Sequence, residues 1–594
     1  MKLLILLFPV TVVLSACRAE NDAPPPSVSL DSAKTEPPSP EEGLVISFPK
    51  AAAAIRSGIA GGRAVGLSRP ALAAEREALR RLYDSETHAP LWVNVAGKPT
   101  QAARDAIAAM QTALEDGLDT LDYSATALDS AANVIDSTHA PDPAVVGRFD
   151  LALSTAFIRY VGDLHSGRID PRRIGFKLDL PVRRADIPAM VRTSLADGTI
   201  PQLVLTQRSP LVQYFRVKEA LARYRELADS LTDSVPAVTA TVKPGESWTG
   251  VSPLSRRLRL LGDLADTVPG ASAAAPAANP EAGVPIEGAN VPGRYGPPLV
   301  AAVKRFQERH GLTSDGVIGR ATVAALNVPI RRRIAQLELT LERLRWIPDL
   351  NGERFIVVNI PTFHLWAWDS LNAEGLPTLD MDVIVGQKAL NTQTPVFAEN
   401  MRYVIFRPYW NVPPGILKSE VLPAIAEDPE YLQKNDMEIV QGQGDDAKPV
   451  ALNPENLELL ARGQLRVRQR PGPRNSLGLV KFMFPNDENV YLHSTPAQEL
   501  FSRTRRDFSH GCVRVERPID LAEWVLGGLP EWDRERIMEA MQEGKPTRVN
   551  LPQPLPVVLF YTTAIVGVDG SLLFFEDIYG HDDKLLQALG TRLQ

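Results

Sequence analysis

The stretch that decides the fold runs from residue 490 to residue 515 and reads VYLHSTPAQELFSRTRRDFSHGCVRV. Residues alternate in its first part, which predicts a β-strand with Tyr491 and His493 on one face. Near its end, Gly511 allows the backbone to turn tightly and to approach a ligand closely, directly before Cys512. A thiol on a tight turn, beside a strand that carries a histidine, indicates a β-rich domain with cysteine chemistry.

Cys512 is a candidate nucleophile, and Cys17 is the only other cysteine in the chain. A free thiol is only a few per cent thiolate at neutral pH, so a catalytic cysteine needs a base. His493 is remote along the chain and can approach from a neighbouring strand, whereas His510 is held two residues from the thiol. We therefore expect His493 to be the base, in a thiolate–imidazolium pair, and His510 to be a positioning or structural residue.

Length and composition exclude several classes of protein. A chain of 594 residues is too long for one hydrophobic core, so we expect three or more folded units. Hydrophobic residues make up 44% and charged residues 23%, which is ordinary for soluble globular domains. The net charge is −7 and no long basic run is present, so the sequence indicates no nucleic-acid partner.

The N-terminus has the features of an export signal. An apolar run over residues 3–14 is too short to span a bilayer comfortably, and small residues precede Cys17. This segment resembles the lipobox of bacterial lipoproteins, so residues 1–17 are predicted to be a signal peptide that leaves a lipidated Cys17. An ordinary signal peptide is the alternative. Lipid would make a membrane the partner of the N-terminus, and Arg18 favours the outer over the inner membrane.

Composition and periodicity divide the region that follows. Residues 18–70 are predicted to be a Pro-rich tether. Apolar residues then recur at spacings of three and four, which predicts an all-helical scaffold over 71–228. A second helical module follows over 243–328, and its Ala/Pro/Gly-rich stretch 268–293 is predicted to be a mobile loop. An amphipathic connecting helix is predicted over 331–347.

Residues 353–580 are predicted to form a mostly-β domain, because β-branched and aromatic residues dominate there and Gly, Pro and Asn punctuate them. Within this range, residues 411–470 are long for a connection inside a compact β domain, and long insertions are often lids. We therefore expect a capping insertion, with helical stretches of its own near 418–427 and 454–462.

The second helical module resembles the three-helix peptidoglycan-binding module of bacterial wall enzymes. A helix-forming run ends at His310-Gly311-Leu312, and a tight turn at Asp315-Gly316 precedes a further helix that starts at Arg320. Gly311 suits the left-handed turn that ends a helix, and Asp315-Gly316 suits a tight turn. The alternative is a helical spacer that binds nothing.

The stretch quoted first resembles the signature of YkuD-type L,D-transpeptidases: His493, fifteen intervening residues, then Ser509-His510-Gly511-Cys512-Val513-Arg514. Flanking segments are similar to the large periplasmic, YcbB/LdtD-like subgroup, among them Pro408–Pro414, Pro471–Gly478 and Lys481–Asn486. The resemblance implies a multidomain α+β protein. Its parts would be an all-helical scaffold, a three-helix peptidoglycan-binding module and a mostly-β YkuD-type catalytic domain with a capping insertion.

The resemblance also implies a two-step acyl transfer. Cys512 would attack the third residue of a donor tetrapeptide stem, and an amine of a neighbouring acceptor stem would then take the acyl group. His493 would be the proton donor and acceptor, and the backbone amide of Cys512, with that of Gly511 as a second candidate, would stabilise the oxyanion. Other residues are carried over as catalytic, namely Ser494, which would orient the imidazole through its carbonyl, and His510. The predicted substrate-binding residues are Tyr491, Trp410, Asn411, Ser509 and Arg514.

Several alternatives stay open. Arg514 suits a stem carboxylate, which guanidinium binds bidentately, but a structural ion pair fits equally well. An L,D-carboxypeptidase would use the same thioester with water as acceptor, and a non-catalytic peptidoglycan-binding lipoprotein is a further reading. No cofactor is expected, and no metal site, because no His/Asp/Glu cluster has ligand spacing beside Cys512. The resemblance places the protein in the periplasm of a Gram-negative bacterium, lipid-anchored.

Overall fold

A computed structural model describes residues 49–61, 73–83, 87–178, 185–265, 293–347, 350, 354–370, 375–444 and 446–590. The predicted signal peptide, Cys17 and nearly all of the loop 268–293 lie outside these residues. Within them, buried apolar side chains form four clusters: one in the N-terminal helices, one in the second helical module, one in the β-rich domain and one in the capping insertion.

The N-terminal part of the described chain is helical. Its α-helices are α1 Pro49–Gly61, α2 Ala73–Leu82, α3 Gln101–Gln111, α4 Ala125–Ser137, α5 Pro143–Ser166, α6 Ile187–Asp197, α7 Ile200–Gln207 and α8 Val212–Glu226. Short 3₁₀ helices lie at Ala113–Asp116, Thr120–Tyr123 and Pro171–Ile174. The long helix α5 is buried along most of its length and is the centre of this cluster.

The prediction of a tether over 18–70 is wrong for residues 49–61. These residues form α1, which packs along α5 and buries Ala51, Ile55 and Ile59. The contact is close, because a Cβ added to Gly147 of α5 would lie 2.3 Å from the carbonyl oxygen of Ala51. The polar, Pro-rich composition ends near residue 42, and three apolar residues on one face allow the following segment to pack as a helix.

The second helical module has the three predicted helices, α9 Val251–Leu260, α10 Pro297–Glu308 and α11 Arg320–Leu326. Two short strands, β1 Ser247–Trp248 and β2 Gly293–Arg294, pair across the ends of the undescribed loop. Gly311 adopts a φ of +62°, as the end of a helix requires. The side chain of His310 stacks on Phe306, with 3.8 Å between ring centroids, and is buried.

Helix α12, Ile330–Arg345, lies where the connecting helix was predicted, but it is more buried than an amphipathic connector would be. From Ala335 onwards almost every residue of α12 is buried, including the charged side chains of Glu342, Arg343 and Arg345. The apolar side of α12 packs in one cluster with α8 and the β-rich domain. Its polar side chains reach the N-terminal helices, where Glu342 accepts hydrogen bonds from the backbone amides of Arg168 and Ile169. Helix α12 is therefore a central support and not a linker.

The β-rich region contains the remaining elements. Its strands outside the capping insertion are β3 Phe355–Asn359, β4 His364–Trp368, β5 Leu379–Gly386, β6 Phe397–Phe406, β11 Val480–Met483, β12 Leu492–His493, β13 Asp507–Ser509, β14 Val513–Val515, β15 Thr547–Phe560, β16 Ala564–Val566 and β17 Leu572–Phe574. Eight of them close a barrel-like sheet in the order β5-β14-β12-β11-β6-β15-β3-β4, because β4 pairs back with β5. Strand β13 adds to β5 in parallel.

Helices cover and close this sheet. They are α17 Pro518–Leu526, α18 Arg534–Gln542 and α19 His581–Leu589, with 3₁₀ helices at Ile360–Thr362 and Gln498–Ser502. Helix α19 extends the domain beyond the predicted end at residue 580, because Asp582 forms a buried ion pair with Arg343 of α12 at 2.5 Å.

The capping insertion is a small domain with its own apolar cluster. Its strands pair in the order β7-β10-β8-β9, with β7 Trp410–Asn411, β8 Met437–Gln441, β9 Lys448–Val450 and β10 Arg466–Gln469. Its helical elements are α13 Pro414–Ile416, a π-helical turn Leu417–Val421, α14 Leu422–Glu427, α15 Tyr431–Lys434 and α16 Pro454–Ala461.

The predicted fold class is confirmed: a helical N-terminal region precedes a β-rich domain that closes into a barrel-like sheet. In the part of the chain that the structure describes, no helix is long and apolar enough to cross a membrane.

Candidate active site

The site lies on one face of two neighbouring strands. Strands β12 and β14 run parallel, with Leu492 opposite Val513 and His493 opposite Arg514. Leu492 and Val513 are fully buried in the core of the sheet. Since side chains alternate along a strand, the opposite face collects Tyr491, His493, Cys512 and Arg514. His493 and Cys512, which are 19 positions apart in the sequence, are thereby placed on the same face of neighbouring strands.

The turn before Cys512 is fixed by a serine. The Ser509 hydroxyl donates to the carbonyl oxygen of Cys512 at 2.5 Å and accepts a hydrogen bond from the amide of Gly511 at 3.2 Å. Gly511 has a φ of +113°, where a side chain would be strained. The amide of Gly511, which the sequence suggested as a second oxyanion donor, is therefore engaged with the Ser509 hydroxyl in this structure. Ser509 shapes the turn, and its role in substrate binding stays a prediction.

The Cys512 thiol is half-buried. Its sulfur lies 3.7 Å from the carbonyl oxygen of Asn489, in the geometry of a thiol that donates a weak hydrogen bond. Burial raises the pKa of Cys512, because the charged form is desolvated. The backbone and hydroxyl of Tyr491, followed by the charges of Lys481 and Arg514, lower the pKa again but do not offset the burial.

His493 is buried, and a backbone carbonyl fixes the orientation of its ring. Its Nδ1 donates to the carbonyl oxygen of Ser494 at 2.5 Å, which leaves Nε2 as the unprotonated nitrogen of the ring. Burial, and next the charge of Arg514, lower the pKa of His493 to about 3. The imidazole is therefore neutral at pH 7. The thiolate–imidazolium pair predicted from the sequence is not the favoured form here, and within the described residues no hydrogen bond joins the thiol to the ring.

A buried asparagine, Asn475, holds the two ends of the capping insertion beside the site, and no role was predicted for it from the sequence. The Asn475 amide donates to the carbonyl oxygens of Pro408 and Arg470, at the two ends of the capping insertion. Asn475 also fixes the turn that ends at Gly478, whose amide donates to the Asn475 carbonyl at 2.8 Å. A Cβ added to Gly478 would lie 2.4 Å from the Ser494 hydroxyl. The signal was present in the Asn-Ser-Leu-Gly run, whose short polar residue and glycine are typical of a tight turn.

His510 faces the cap and not the thiol. Its Nε2 lies 2.7 Å from the Glu420 carboxylate, which belongs to the π-helical turn of the capping insertion. Single π-helical turns are frequent at functional sites. This contact is the geometry expected for a positioning or structural residue.

Arg514 has no carboxylate partner among the residues that the structure describes. Its Nε is buried and makes no hydrogen bond there. Desolvation lowers the pKa of Arg514, and the neighbouring Cys512 opposes that effect. Of the two readings left open by the sequence, the structural ion pair is not observed. A guanidinium beside the thiol is available to an incoming carboxylate.

The remaining predicted pocket residues separate into two groups. Tyr491 lies against the thiol, and Lys481 stands over its ring at 3.6 Å from the ring centroid. Trp410 and Asn411 form β7, at the edge of the cap sheet, and pair with Gln469 and Arg468 of β10. No hydrogen bond or ring contact joins their side chains to Tyr491, His493 or Cys512 in the described chain. The part of the chain that the structure describes contains no cluster of three His, Cys, Asp or Glu side chains that could hold a metal ion.

Comparison with known families matches three stretches of the chain. Residues 353–549 match the L,D-transpeptidase catalytic domain of the YkuD family. This chain therefore carries a YkuD-type L,D-transpeptidase catalytic domain. Residues 77–221 match a family described as "Scaffold domain" and residues 282–326 one described as "Putative peptidoglycan binding domain".

One curated relative extends the similarity. It is a protein of Haemophilus influenzae named "Putative L,D-transpeptidase", which is 33% identical to this chain over 250 residues. The match covers 42% of this chain and 48% of the relative, so the chain spans about half the length of the relative that it matches.

Proposed function

We propose that this protein is a peptidoglycan L,D-transpeptidase that forms crosslinks between third-position residues of stem peptides through a thioester on Cys512. The observation that carries the proposal is the shared face of β12 and β14, where a neutral imidazole, a thiol and an unpaired guanidinium lie together. A tetrapeptide stem offers the third-residue amide carbonyl for the thiol and carboxylates for the guanidinium.

In the acylation step, Nε2 of His493 takes the thiol proton and the sulfur attacks the carbonyl carbon of the third stem residue. The negative charge that forms on the carbonyl oxygen is stabilised by the Cys512 amide. The carbon–nitrogen bond to the terminal D-alanine then breaks, and the imidazolium gives its proton to the leaving amine. The products are a Cys512 thioester and free D-alanine, and the imidazole is neutral again.

In the transfer step, the side-chain amine of a neighbouring stem attacks the thioester. His493 removes a proton from this amine and returns it to the departing sulfur, which restores the thiol and the resting state of the pair. The carbonyl oxygen of Ser494 accepts a hydrogen bond from Nδ1 of His493, which keeps Nε2 directed at the reacting groups. Arg514 and Tyr491 bind the donor stem, and Trp410 and Asn411 act from the cap.

We also propose that the chain belongs to the large periplasmic, YcbB/LdtD-like subgroup, on the combination of scaffold, peptidoglycan-binding module and capping insertion. The small residues before Cys17 support a lipid anchor, and Arg18 after it favours the outer membrane. Cys17→Ser should move the protein from the membrane fraction to the soluble periplasmic fraction, and unchanged membrane association would contradict the anchor.

The test is incubation of the full chain with disaccharide-tetrapeptide, followed by mass analysis of the products. A crosslinked dimer with loss of one D-alanine supports the transpeptidase. A disaccharide-tripeptide without dimer identifies the L,D-carboxypeptidase instead, because water has then taken the acyl group. No reaction with wild-type protein, together with binding to intact peptidoglycan, supports the non-catalytic reading.

A further inference from the structure

The loop after β5 contacts the catalytic turn through a buried threonine. Thr394 is completely buried, and its hydroxyl donates to the carbonyl oxygen of Gly511 at 2.8 Å. The same hydroxyl accepts a hydrogen bond from the amide of Gly386, also at 2.8 Å. Both the donor and an acceptor site of the hydroxyl are therefore in use, which fixes its rotation.

A tyrosine holds the threonine in turn. The amide of Thr394 donates to the Tyr579 hydroxyl at 3.1 Å, and that hydroxyl donates to the carbonyl oxygen of Gly386 at 2.5 Å. The packing around Gly386 is tight, because a Cβ added there would lie 1.9 Å from the carbonyl oxygen of Thr392. Thr394, Gly386 and Tyr579 therefore form a closed hydrogen-bonded ring, which fixes the hydroxyl that holds the Gly511 carbonyl.

This ring determines the direction of the Cys512 amide. The Gly511 carbonyl and the Cys512 N–H belong to one planar trans peptide, so they point in opposite directions. Since Thr394 holds the carbonyl inward, the N–H is directed outward, away from the loop. Ser509 occupies the Gly511 amide and the Cys512 carbonyl. The Cys512 amide donates to no acceptor in the described chain, unlike the other groups of this turn.

We propose that Thr394 is a positioning residue for the oxyanion donor: by holding the Gly511 carbonyl, it aims the Cys512 N–H at the carbonyl oxygen of the substrate. The inference rests on the proposed acyl transfer at Cys512. In that step the sulfur–carbon bond forms and charge develops on the oxygen, which a preorganised donor stabilises. Thr394 itself touches neither the substrate nor the reacting atoms.

The test compares two reactions of the same thiol. Acylation of Cys512 by a carbapenem opens the β-lactam ring through a tetrahedral oxyanion, whereas alkylation by iodoacetamide displaces iodide and forms none. Loss of one oxyanion donor costs about a hundred- to a thousandfold in rate, and a misdirected donor should cost less. We therefore expect Thr394→Val to slow acylation by about ten- to a hundredfold and to change alkylation less than about twofold.

Two further variants and a control complete the design. Thr394→Ser keeps the hydroxyl and should restore most of the acylation rate. Tyr579→Phe loosens the ring without removing the Gly511 contact, so it should lower acylation less than Thr394→Val. Thr340→Val is the matched control. Thr340 lies in α12, is also fully buried, and its hydroxyl is 2.7 Å from that of Thr562. This variant should change neither reaction.

The outcomes separate the two proposals. If the wild-type thiol is not acylated at all, the proposed function fails. If the wild-type thiol is acylated and Thr394→Val is acylated equally fast, the positioning role is wrong. Equal losses of acylation and alkylation in Thr394→Val would also overturn it, because the residue would then support the thiol as a whole. If Thr394→Val does not fold, the ratio of the two rates in Tyr579→Phe decides in the same way.

Discussion

Buried polar groups are paired in one part of the molecule and unpaired in another. The paired ones lie between α12 and α19, and the unpaired ones lie on the catalytic face of β12 and β14. At α12, Arg343 and Asp582 form an ion pair that is almost completely buried, and the second oxygen of Asp582 accepts from Thr563 at 2.6 Å. At the catalytic face, Arg514 has no such partner among the described residues, and His493 is neutral. The paired charges of Arg343 and Asp582 stabilise the fold, whereas Arg514 and His493 remain free to react.

The largest effect is expected for the nucleophile. Cys512→Ala should abolish crosslinking and carbapenem adducts, while the free energy of unfolding changes by less than about 1 kcal/mol, because the side chain is half-buried and in no disulfide. Product mass analysis and urea denaturation measure the two quantities. Cys17→Ser is the control thiol variant and should retain crosslinking in detergent extracts. Activity in Cys512→Ala would remove the basis of the mechanism.

Loss of the base should have the next largest effect. General acid–base catalysis is typically worth about a hundred- to ten-thousandfold, and His493→Ala should lose acylation by that factor. His510→Ala should lose less, because its ring bonds to Glu420 and not to the thiol. Stopped-flow acylation by a carbapenem measures both variants. A larger loss in His510→Ala would exchange the two assignments.

Breaking the ion pair between Arg343 and Asp582 should lower the free energy of unfolding and leave the acylation rate unchanged. Asp582→Ala leaves Arg343 as a buried, uncompensated charge, which costs about 3–5 kcal/mol of unfolding free energy. The neighbouring Asp583 offers a matched control, because it pairs with Arg332 on the surface, where an ion pair is worth about 0–1 kcal/mol. Urea denaturation should separate the two variants, and the acylation rate per folded molecule should be unchanged in both. Equal stabilities would contradict the comparison.

Local patterns in the sequence predicted much of this molecule. The β-rich domain, the helices of each module and the grouping of His493 with Cys512 follow from alternation, helical periodicity and one short motif. The burial of α12 does not, because Arg343 and Asp582 are 239 residues apart in the chain. Thr394 and Gly511 are likewise separated by 117 residues. Such contacts form only when the sheet closes, and no local pattern records which distant group will face a buried hydroxyl or guanidinium.

The pH dependence of Cys512 should reveal the resting state of the catalytic face. Burial raises the pKa of the thiol and lowers that of His493 to about 3, so between these values both groups are neutral. Alkylation by iodoacetamide, without substrate, should therefore be slow at pH 5–7. Its rate should rise only as the pH passes the ordinary thiol range of roughly 8.5 and above. A plateau of fast alkylation at pH 5–7 would instead show a thiolate–imidazolium pair.

The smallest effect is expected where the cap meets the catalytic turn. The Glu420–His510 contact lies at the surface, with half of the carboxylate exposed, so its contribution is limited to about 1 kcal/mol. Glu420→Gln retains a hydrogen-bonding group but removes the charge, and it should change kcat/KM by no more than about fivefold. Glu430→Gln, which loses an exposed contact to Lys434 within the cap, is the matched control and should not change kcat/KM. A fall of a hundredfold or more in Glu420→Gln would mean that the cap contact takes part in catalysis, and His510 would then join the groups that the catalytic face keeps free to react.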